Sequence, residues 1–356
     1  MKAKKLFVNL AVTIVSAIVV TLVMFWPFLR SVCSVKEIED GLYYMEFKGN
    51  DGFDKFLDKG GASNSAELAQ YITKFLSRGF SKAPAAEPQS SDFGCSTIVG
   101  RTVDENAIMG RNFDWTESTA IIMHCKPRGG YEYYSVFNAR LLGFGDEWRP
   151  NTFANKYVAL STLFCALDGI NERGLAIADL MAGDYVETHQ DNGGPDLTTS
   201  SAVKFLLSHA GSVEEALYLL QIIDMHSDAG MAHHYAMSDM YGRNVVVEYI
   251  DGELYFTDVP VVTNHYLCGS KINVGKLPGD DRHEKLLEHY ISHYGLFTED
   301  DMMSALQSVW QYPGDPENPI ATRWTEIFDN TDRTMLFVWN RNEEVRYRFK
   351  MDAKRK

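Results

Sequence analysis

The 356-residue sequence predicts an α+β protein in which two layers of antiparallel sheet lie between outer helices. Three observations carry this expectation. Short runs of β-branched and aromatic residues bounded by Gly and Asp recur along the chain, and two helical pairs separate them into blocks. The chain is also 45% hydrophobic and 12% aromatic, enough to bury a large core.

In chain order, Met1-Lys2-Ala3-Lys4-Lys5 is basic, and residues 6–29 form an uncharged apolar run interrupted only by residues such as Asn9, Thr13, Ser16 and Thr21. At about 1.5 Å per residue the run is long enough for a hydrocarbon core of about 30 Å, and no clear small-x-small cleavage site precedes Cys33. Residues 1–33 are therefore expected to be a membrane anchor, with the lysines cytoplasmic and the rest of the chain outside. Secretion after signal cleavage is the alternative. Residues 34–94 read as a pro-segment. Ala66, Leu68, Ala69, Ile72, Phe75 and Leu76 fall at helical spacing, and residues 82–91 form a polar, proline-punctuated linker. Residues 95–356 remain as the main domain.

Within that domain, strands are expected at 131–142, 157–170 and 175–181. Helices follow at 198–207 and 213–223, with Ser212 as N-cap of the second. Strands resume at 235–237, 244–249 and 253–256, the last two joined by an Asp251-Gly252 hairpin turn. A second helical pair at 283–294 and 299–310 precedes closing strands at 335–339 and 345–349. No internal repeat or low-complexity tract is present.

The formal charge of −14 removes nucleic acid from consideration, because phosphate binding needs a basic face. The five cysteines, Cys33, Cys95, Cys125, Cys165 and Cys268, have no C-x-x-C spacing. Setting aside Cys33 and Cys95 leaves an odd number, which does not read as a disulfide framework.

The chemistry-bearing segment is Gly94-Cys95-Ser96-Thr97-Ile98, closed at Gly110-Arg111-Asn112-Phe113-Asp114-Trp115. A Cys at a chain terminus carries its own base, an α-amine titrating at roughly pH 8. Cys95 is internal, so this reading requires a cut between Gly94 and Cys95. Gly94 suits the cut, since its missing side chain lets the thiol approach the preceding carbonyl.

Further landmarks follow in order: Asp168-Gly169-Ile170-Asn171-Glu172-Arg173-Gly174-Leu175, then His234-Tyr235-Ala236-Met237-Ser238-Asp239, then Val262-Thr263-Asn264-His265, and last Ala321-Thr322-Arg323-Trp324. With these, the stretch from Cys95 to Phe349 resembles the choloylglycine hydrolase and penicillin V acylase family, N-terminal-nucleophile (Ntn) hydrolases of linear amides related to acid ceramidase and N-acylethanolamine amidase. The resemblance implies an αββα sandwich and an amidase acting on a small N-acyl amide through a Cys95 thioester. It also implies the site roles. Cys95 is nucleophile and, through its freed amine, base. Arg111 lies against the sulfur, Asp114 orients the α-ammonium, Asn264 donates to the oxyanion, and Arg323 completes the positive field. Relatives often assemble as dimers or tetramers, so a homo-oligomer is expected.

One position departs from the family. Where relatives have an Asn or Tyr that contacts substrate, this chain has Met181, which cannot donate through its side chain. Phe144, with Tyr131, Tyr133, Tyr134, Phe137 and Trp148, forms a segment aromatic enough to line an apolar acyl pocket, although such residues more often build core.

Competing motifs are weak. Ser201-Ala202-Val203-Lys204 fits S-x-x-K, but its S-D-N and K-T-G partners are missing. No G-x-S-x-G or H-E-x-x-H occurs, and His233-His234 reads as one inward and one outward His on a strand. No metal and no cofactor are expected. Two alternatives stay open: an acyltransferase sharing every residue named, and a non-catalytic membrane-tethered binding protein of the same fold.

Overall fold

A computed structural model describes residues 25–77, 94–227, 230–314 and 319–351. The elements in chain order are helix α1 (25–34), β1 (Lys36–Glu39), β2 (Leu42–Gly49), α2 (Phe53–Leu57) and α3 (Ser65–Leu76). After these come β3 (Gly94–Arg101), β4 (Ala107–Trp115), β5 (Ala120–Pro127), β6 (Tyr133–Asn138), α4 (Phe153–Val158), β7 (Asp168–Asn171), β8 (Ala176–Met181) and β9 (Asp196–Thr198). The chain continues through α5 (Thr199–His209), α6 (Val213–Leu220), β10 (Asp224–His226), β11 (His233–Ser238), β12 (Asn244–Ile250), β13 (Glu253–Thr257) and β14 (Val261–Val262). It closes with α7 (Arg282–Ser292), α8 (Glu299–Gln307), β15 (Ala321–Asp329), β16 (Thr334–Trp339) and β17 (Tyr347–Lys350).

Two large sheets face each other. One has nine strands in the order β1-β2-β5-β6-β7-β8-β11-β12-β13, the other six in the order β14-β3-β4-β15-β16-β17. Cys95, Phe113, Trp115, Tyr134, Phe137, Leu180, Met181, Trp324 and Phe337 belong to the apolar layer between them. A second layer, with Phe53, Phe56, Phe164, Phe205 and Leu206, lies between the nine-stranded sheet and helices α2, α3, α5 and α6. A third, with Ile98, Leu286, Phe297, Met302 and Leu306, lies under α7 and α8. Helix, sheet, sheet and helix therefore stack as four layers around three apolar seams, the expected αββα sandwich.

Several elements form for the expected reasons. Helix α3 covers residues 65–76, capped by the Asn64 side chain on the Glu67 amide. The Ser212 side chain caps α6 by accepting from the Glu215 amide. Asp251 and Gly252 both take positive φ, 53° and 82°, which the tight β12–β13 turn requires.

The expected strand at 157–170 is corrected. Residues 153–163 are helical, with Thr152 capping α4, and only β7 at the end is extended. The β-branched and aromatic composition that suggested a strand here serves core packing, since Leu160, Leu163 and Phe164 are fully buried. The wholly antiparallel expectation also needs amendment, because β2 pairs with β5 in parallel across eight residues. His233 and His234 are both buried, on Asp179 and Glu248 respectively, because β11 lies inside the nine-stranded sheet with both faces covered.

The described residues ahead of Cys95 are built into the domain. β2 adds β1 to the sheet, and Lys204 on α5 forms a buried 2.9 Å ion pair with Asp51. Phe53, Phe56, Tyr71 and Phe75 pack around Phe164. Among the described residues no helix is long and apolar enough to cross a membrane. Most of the expected anchor, residues 1–24, and the linker at 82–91 lie outside the described residues.

Candidate functional site

Cys95 is the second residue of β3 and is fully buried. Strand pairing sets what surrounds it: β4 runs antiparallel beside β3 with Gly94 opposite Asp114 and Thr97 opposite Arg111. β14 pairs on the other side at Thr97 and Ile98, so the chain leaving β14 carries Asn264 to the start of β3. The Cys95 amide donates to Asn264 Oδ1 at 2.8 Å, and Asn264 Nδ2 donates to the Met181 carbonyl at 2.8 Å. Met181 thus meets the site through its backbone.

A guanidinium closes the cluster. Arg282, the first residue of α7, donates from Nη1 to the Cys95 carbonyl (3.1 Å) and Asp114 Oδ2 (3.0 Å), and from Nη2 to Asn264 Oδ1 and Asp280 Oδ2, both at 2.9 Å. Thr322 Oγ1 donates to Asp114 Oδ1 at 2.6 Å. Asp114 is therefore held by a cation on one oxygen and a hydroxyl on the other. Arg111 approaches from the opposite side, donating from Nη2 to the Asp179 carbonyl at 2.8 Å, the same carbonyl that lies 3.9 Å from Cys95 Sγ.

Burial dominates the electrostatics. It pushes the Cys95 thiol up to about 12, with Asp114 and Asp179 adding to the rise and Arg111 and Arg282 opposing it. In the uncut chain the sulfur is therefore a thiol at neutral pH and needs a base. Burial also raises Asp114, against the pull of Arg282, the Thr322 hydroxyl and Arg111. Burial works against the charge of Arg111 too, but Asp168 and the other surrounding acids hold the guanidinium above its ordinary value.

The structure thus brings Cys95, Arg111, Asp114, Asn264 and the Met181 backbone together. Arg323 is elsewhere: it falls at a register shift between Thr322 and Trp324, and its Nε donates to the Trp115 carbonyl. The bulge is the physical reason, since the extra residue leaves Thr322 opposite Asp114 and takes Arg323 out of the ladder. The second guanidinium of the site is Arg282, which sequence reasoning missed along with Thr322. Leu277-Pro278-Gly279-Asp280-Asp281-Arg282 carries a turn signal before a helix, the one available hint of Arg282. Phe144 stacks on Trp148 at 4.5 Å in the loop after β6. Tyr133, Tyr134 and Phe137 are core residues of the sandwich, whereas Tyr131, Phe144 and Trp148 are only partly buried. Asn171 is a turn residue, its Oδ1 accepting from the Arg173 and Leu175 amides. Among the described residues no group of three or more His, Cys, Asp or Glu is arranged to hold a metal.

Comparison with known proteins agrees with this geometry. Residues 95–266 match the linear amide C-N hydrolases, choloylglycine hydrolase family. A penicillin V acylase from Pectobacterium atrosepticum is 26% identical over 164 residues, 41% of this chain, and the match spans 41% of that relative's length. Among solved structures, a mutant of the conjugated bile acid hydrolase from Clostridium perfringens superposes with a TM-score of 0.51 at 15% identity, covering 72% of this chain and 92% of that one. A penicillin V acylase from Agrobacterium tumefaciens gives 0.50 at 19% identity, covering 72% and 86%. At such identities the structural likeness establishes the fold, the Ntn-hydrolase sandwich. Over Cys95 to Tyr266 the chain is thus similar to the choloylglycine hydrolase family of linear amide C-N hydrolases, the same stretch in which the ordered sequence landmarks begin.

Proposed function

We propose that this protein is a cysteine N-terminal-nucleophile amidase that cleaves a linear, non-peptide amide through a Cys95 thioester, after cutting its own Gly94–Cys95 bond. The observation that carries this reading is the convergence of Asn264 and Arg282 on the backbone of Cys95, with Asp114 held beside them by Arg282, at the point where a new terminus would form. In the first step Cys95 Sγ attacks the Gly94 carbonyl. The peptide C–N bond breaks, the Cys95 nitrogen gains a proton, and water then hydrolyses the thioester to free residues 1–94 from the nucleophile. The new α-amine has its acceptors ready in Asn264 Oδ1 and the Asp114 carboxylate.

In turnover the amine takes the thiol proton as Sγ adds to the substrate carbonyl. This supplies the base that a thiol buried to a value of about 12 requires. One Asn264 Nδ2 hydrogen is engaged by Met181 and the other is available to the oxyanion, where a preorganised donor is worth about 3–4 kcal/mol of barrier. The amine passes its proton to the leaving nitrogen, and water releases the acyl group. The relatives' names mention a conjugated bile acid and penicillin V, and an N-acyl amide of this kind is the proposed substrate class. The uncharged run at 6–29 supports a setting at a membrane, with the catalytic domain outside.

The test is intact mass and N-terminal sequencing of the purified protein beside Cys95→Ala. The expected outcome is a wild type divided between Gly94 and Cys95 and a variant that stays whole. If the wild type stays whole and unreactive toward acyl amides, the reading fails.

A further inference from the structure

Behind Arg111 lies a pair of acids that the proposed mechanism leaves unused. Glu326 on β15 is directly opposite Arg111 on β4, on the same face of the sheet, and both are fully buried. Asp168, at the start of β7, reaches in from the other sheet. Its Oδ2 lies 2.8 Å from Arg111 Nε and accepts the Trp324 indole N–H at 3.1 Å. The remaining oxygens are the informative ones. Asp168 Oδ1 and both Glu326 oxygens are buried without a hydrogen-bond partner among the described residues, as are Nε and Nη1 of the facing Arg111. As two carboxylates the pair would have acceptors only. A single proton between them makes a donor and an acceptor at once, and both acids stand against the same guanidinium, Asp168 at 2.8 Å from Nε and Glu326 opposite Arg111 across the β4–β15 ladder.

We infer that Glu326 is a positioning residue for Arg111: it stays a neutral acid and donates its carboxyl proton to Asp168, so that one carboxylate, not two, faces the guanidinium behind Cys95. The charged groups around it are Arg111 from β4 and Asp168 from β7, while Asp179 from β8, paired with His233 on β11, acts on Arg111 and Asp168. The residue opposite it on β16 is Phe337, which brings no charge.

The arrangement has a consequence for the sulfur. Two carboxylates on one guanidinium would cancel its positive field, and Cys95 would lose the nearest cation favouring its thiolate. With Glu326 neutral, Asp168 holds Arg111 as an ion pair, 2.8 Å from Nε, while Nη2 is oriented by the Asp179 carbonyl and the rest of the charge stays available. Burial and the neighbouring Asp168 charge both push Glu326 upward, in agreement with the geometry. Asp168 itself rises to about 6 through burial, against the pull of Arg111.

The experiment has two arms on wild type, Glu326→Gln and Glu326→Ala. Infrared spectroscopy of the full chain at neutral pH reads a protonated carboxyl C=O band directly and needs neither cleavage nor turnover. That band is expected in wild type and lost in Glu326→Gln. The second arm rests on the amidase reading: alkylation of Cys95 by iodoacetamide in the matured protein across pH. Glu326→Gln keeps a neutral donor toward Asp168 and is expected to stay within about threefold of wild type, while Glu326→Ala slows alkylation at neutral pH by tenfold or more, a shift of roughly one pH unit. Absence of the infrared band, equal loss in Gln and Ala, or a Glu326→Gln chain that does not fold would each overturn the inference. If no acyl amide is cleaved while the band behaves as expected, the amidase reading falls and the Glu326 inference stands.

Discussion

Asn264 grips Cys95 and Met181 at the same time: its Oδ1 accepts the Cys95 amide while its Nδ2 donates to the Met181 carbonyl, each at 2.8 Å. One side chain thus ties the start of β3 in one sheet to the end of β8 in the other. The two halves of this amide predict separable effects. Asn264→Ala is expected to lower kcat by about 10²–10³ and to cost about 1–3 kcal/mol of stability through the orphaned, buried Cys95 N–H. Asn264→Asp keeps an acceptor for that N–H but loses the donor, so most of the stability survives while the rate falls equally far. Steady-state kinetics beside thermal melts separate the two, and a fully active Asn264→Asp would remove Asn264 from oxyanion stabilisation.

The two arginines of the C-terminal half make opposite predictions. Arg282 bridges Asp114, Asn264 and the Cys95 carbonyl, whereas the polar contact of Arg323 is with the Trp115 carbonyl. Arg282→Ala leaves Asp114 buried without its cation, a loss of about 3–5 kcal/mol together with activity. Arg323→Ala is expected to keep kcat/KM within about threefold, in line with a partly exposed side chain outside the cluster. Equal losses from both substitutions would contradict the geometry.

This pair also marks how far the sequence could be read. Cys95, Arg111, Asp114 and Asn264 were legible through the ordered landmarks that resemble the family, and the pairing of β3 with β4 and β14 is what brings them together. Arg323 was misleading because a bulge moves it out of register, which no local pattern announces. Arg282 comes from a loop-helix junction whose approach to Cys95 depends on how α7 packs on β3. Helix α3 was legible from its amphipathic spacing, whereas residues 153–163 were not, since β-branched and aromatic composition suits a buried helical turn as well as a strand. β1 and β2 escaped notice for a related reason: β2, with Leu42, Tyr43, Met45 and Phe47 buried, acquires its meaning from pairing with β5, far along the chain.

Gly94 is crowded even without a side chain. A Cβ there would lie 3.0 Å from Asp114 Oδ2, 3.1 Å from Asp114 Cβ and 3.3 Å from Arg282 Nη1. Gly94→Ala is therefore expected to slow maturation by displacing the groups that receive the new amine. Once the cut has been made, residue 94 is no longer attached to the nucleophile, and matured Gly94→Ala should turn over at the wild-type rate. Time-resolved intact mass gives the first quantity and kinetics on the isolated mature form the second.

His265, next to Asn264, gives a pH prediction. Burial and the neighbouring His283 lower it to about 4 from an ordinary value of 6.5. A His with a lowered folded value binds protons more readily when unfolded, so its contribution is present above about 6.5 and is lost as the pH falls toward 4. His265→Gln is expected to shrink the drop in melting temperature between those two values. His283 is also lowered, by its own burial, so the drop shrinks without vanishing. An unchanged drop in His265→Gln would exclude His265 as a source of acid lability.

The final prediction concerns the fate of the segment ahead of Cys95. Its strands β1 and β2 extend the nine-stranded sheet, Tyr157 donates to the Leu76 carbonyl, Lys156 to the Val35 carbonyl, and Trp339 to the Asp40 carbonyl. Removing it would strip β5 of a parallel partner and expose Phe47, Phe53, Phe56 and Leu68, all buried. A cut at Gly94–Cys95 breaks one covalent bond and none of these contacts, so both pieces are expected to co-elute in native size exclusion and to separate only in denaturant. The buried Asp51–Lys204 pair is the sensitive point, since Lys204 Nζ also sits 3.8 Å from the centroid of the Phe53 ring. Asp51→Ala leaves that ammonium buried and unpaired, at a cost of about 3–5 kcal/mol, and should release the N-terminal piece at lower denaturant. Adding Lys204→Met to Asp51→Ala removes the stranded charge and should recover part of the loss. Matured protein that sheds the segment without denaturant and keeps its activity would show that these strands serve only folding.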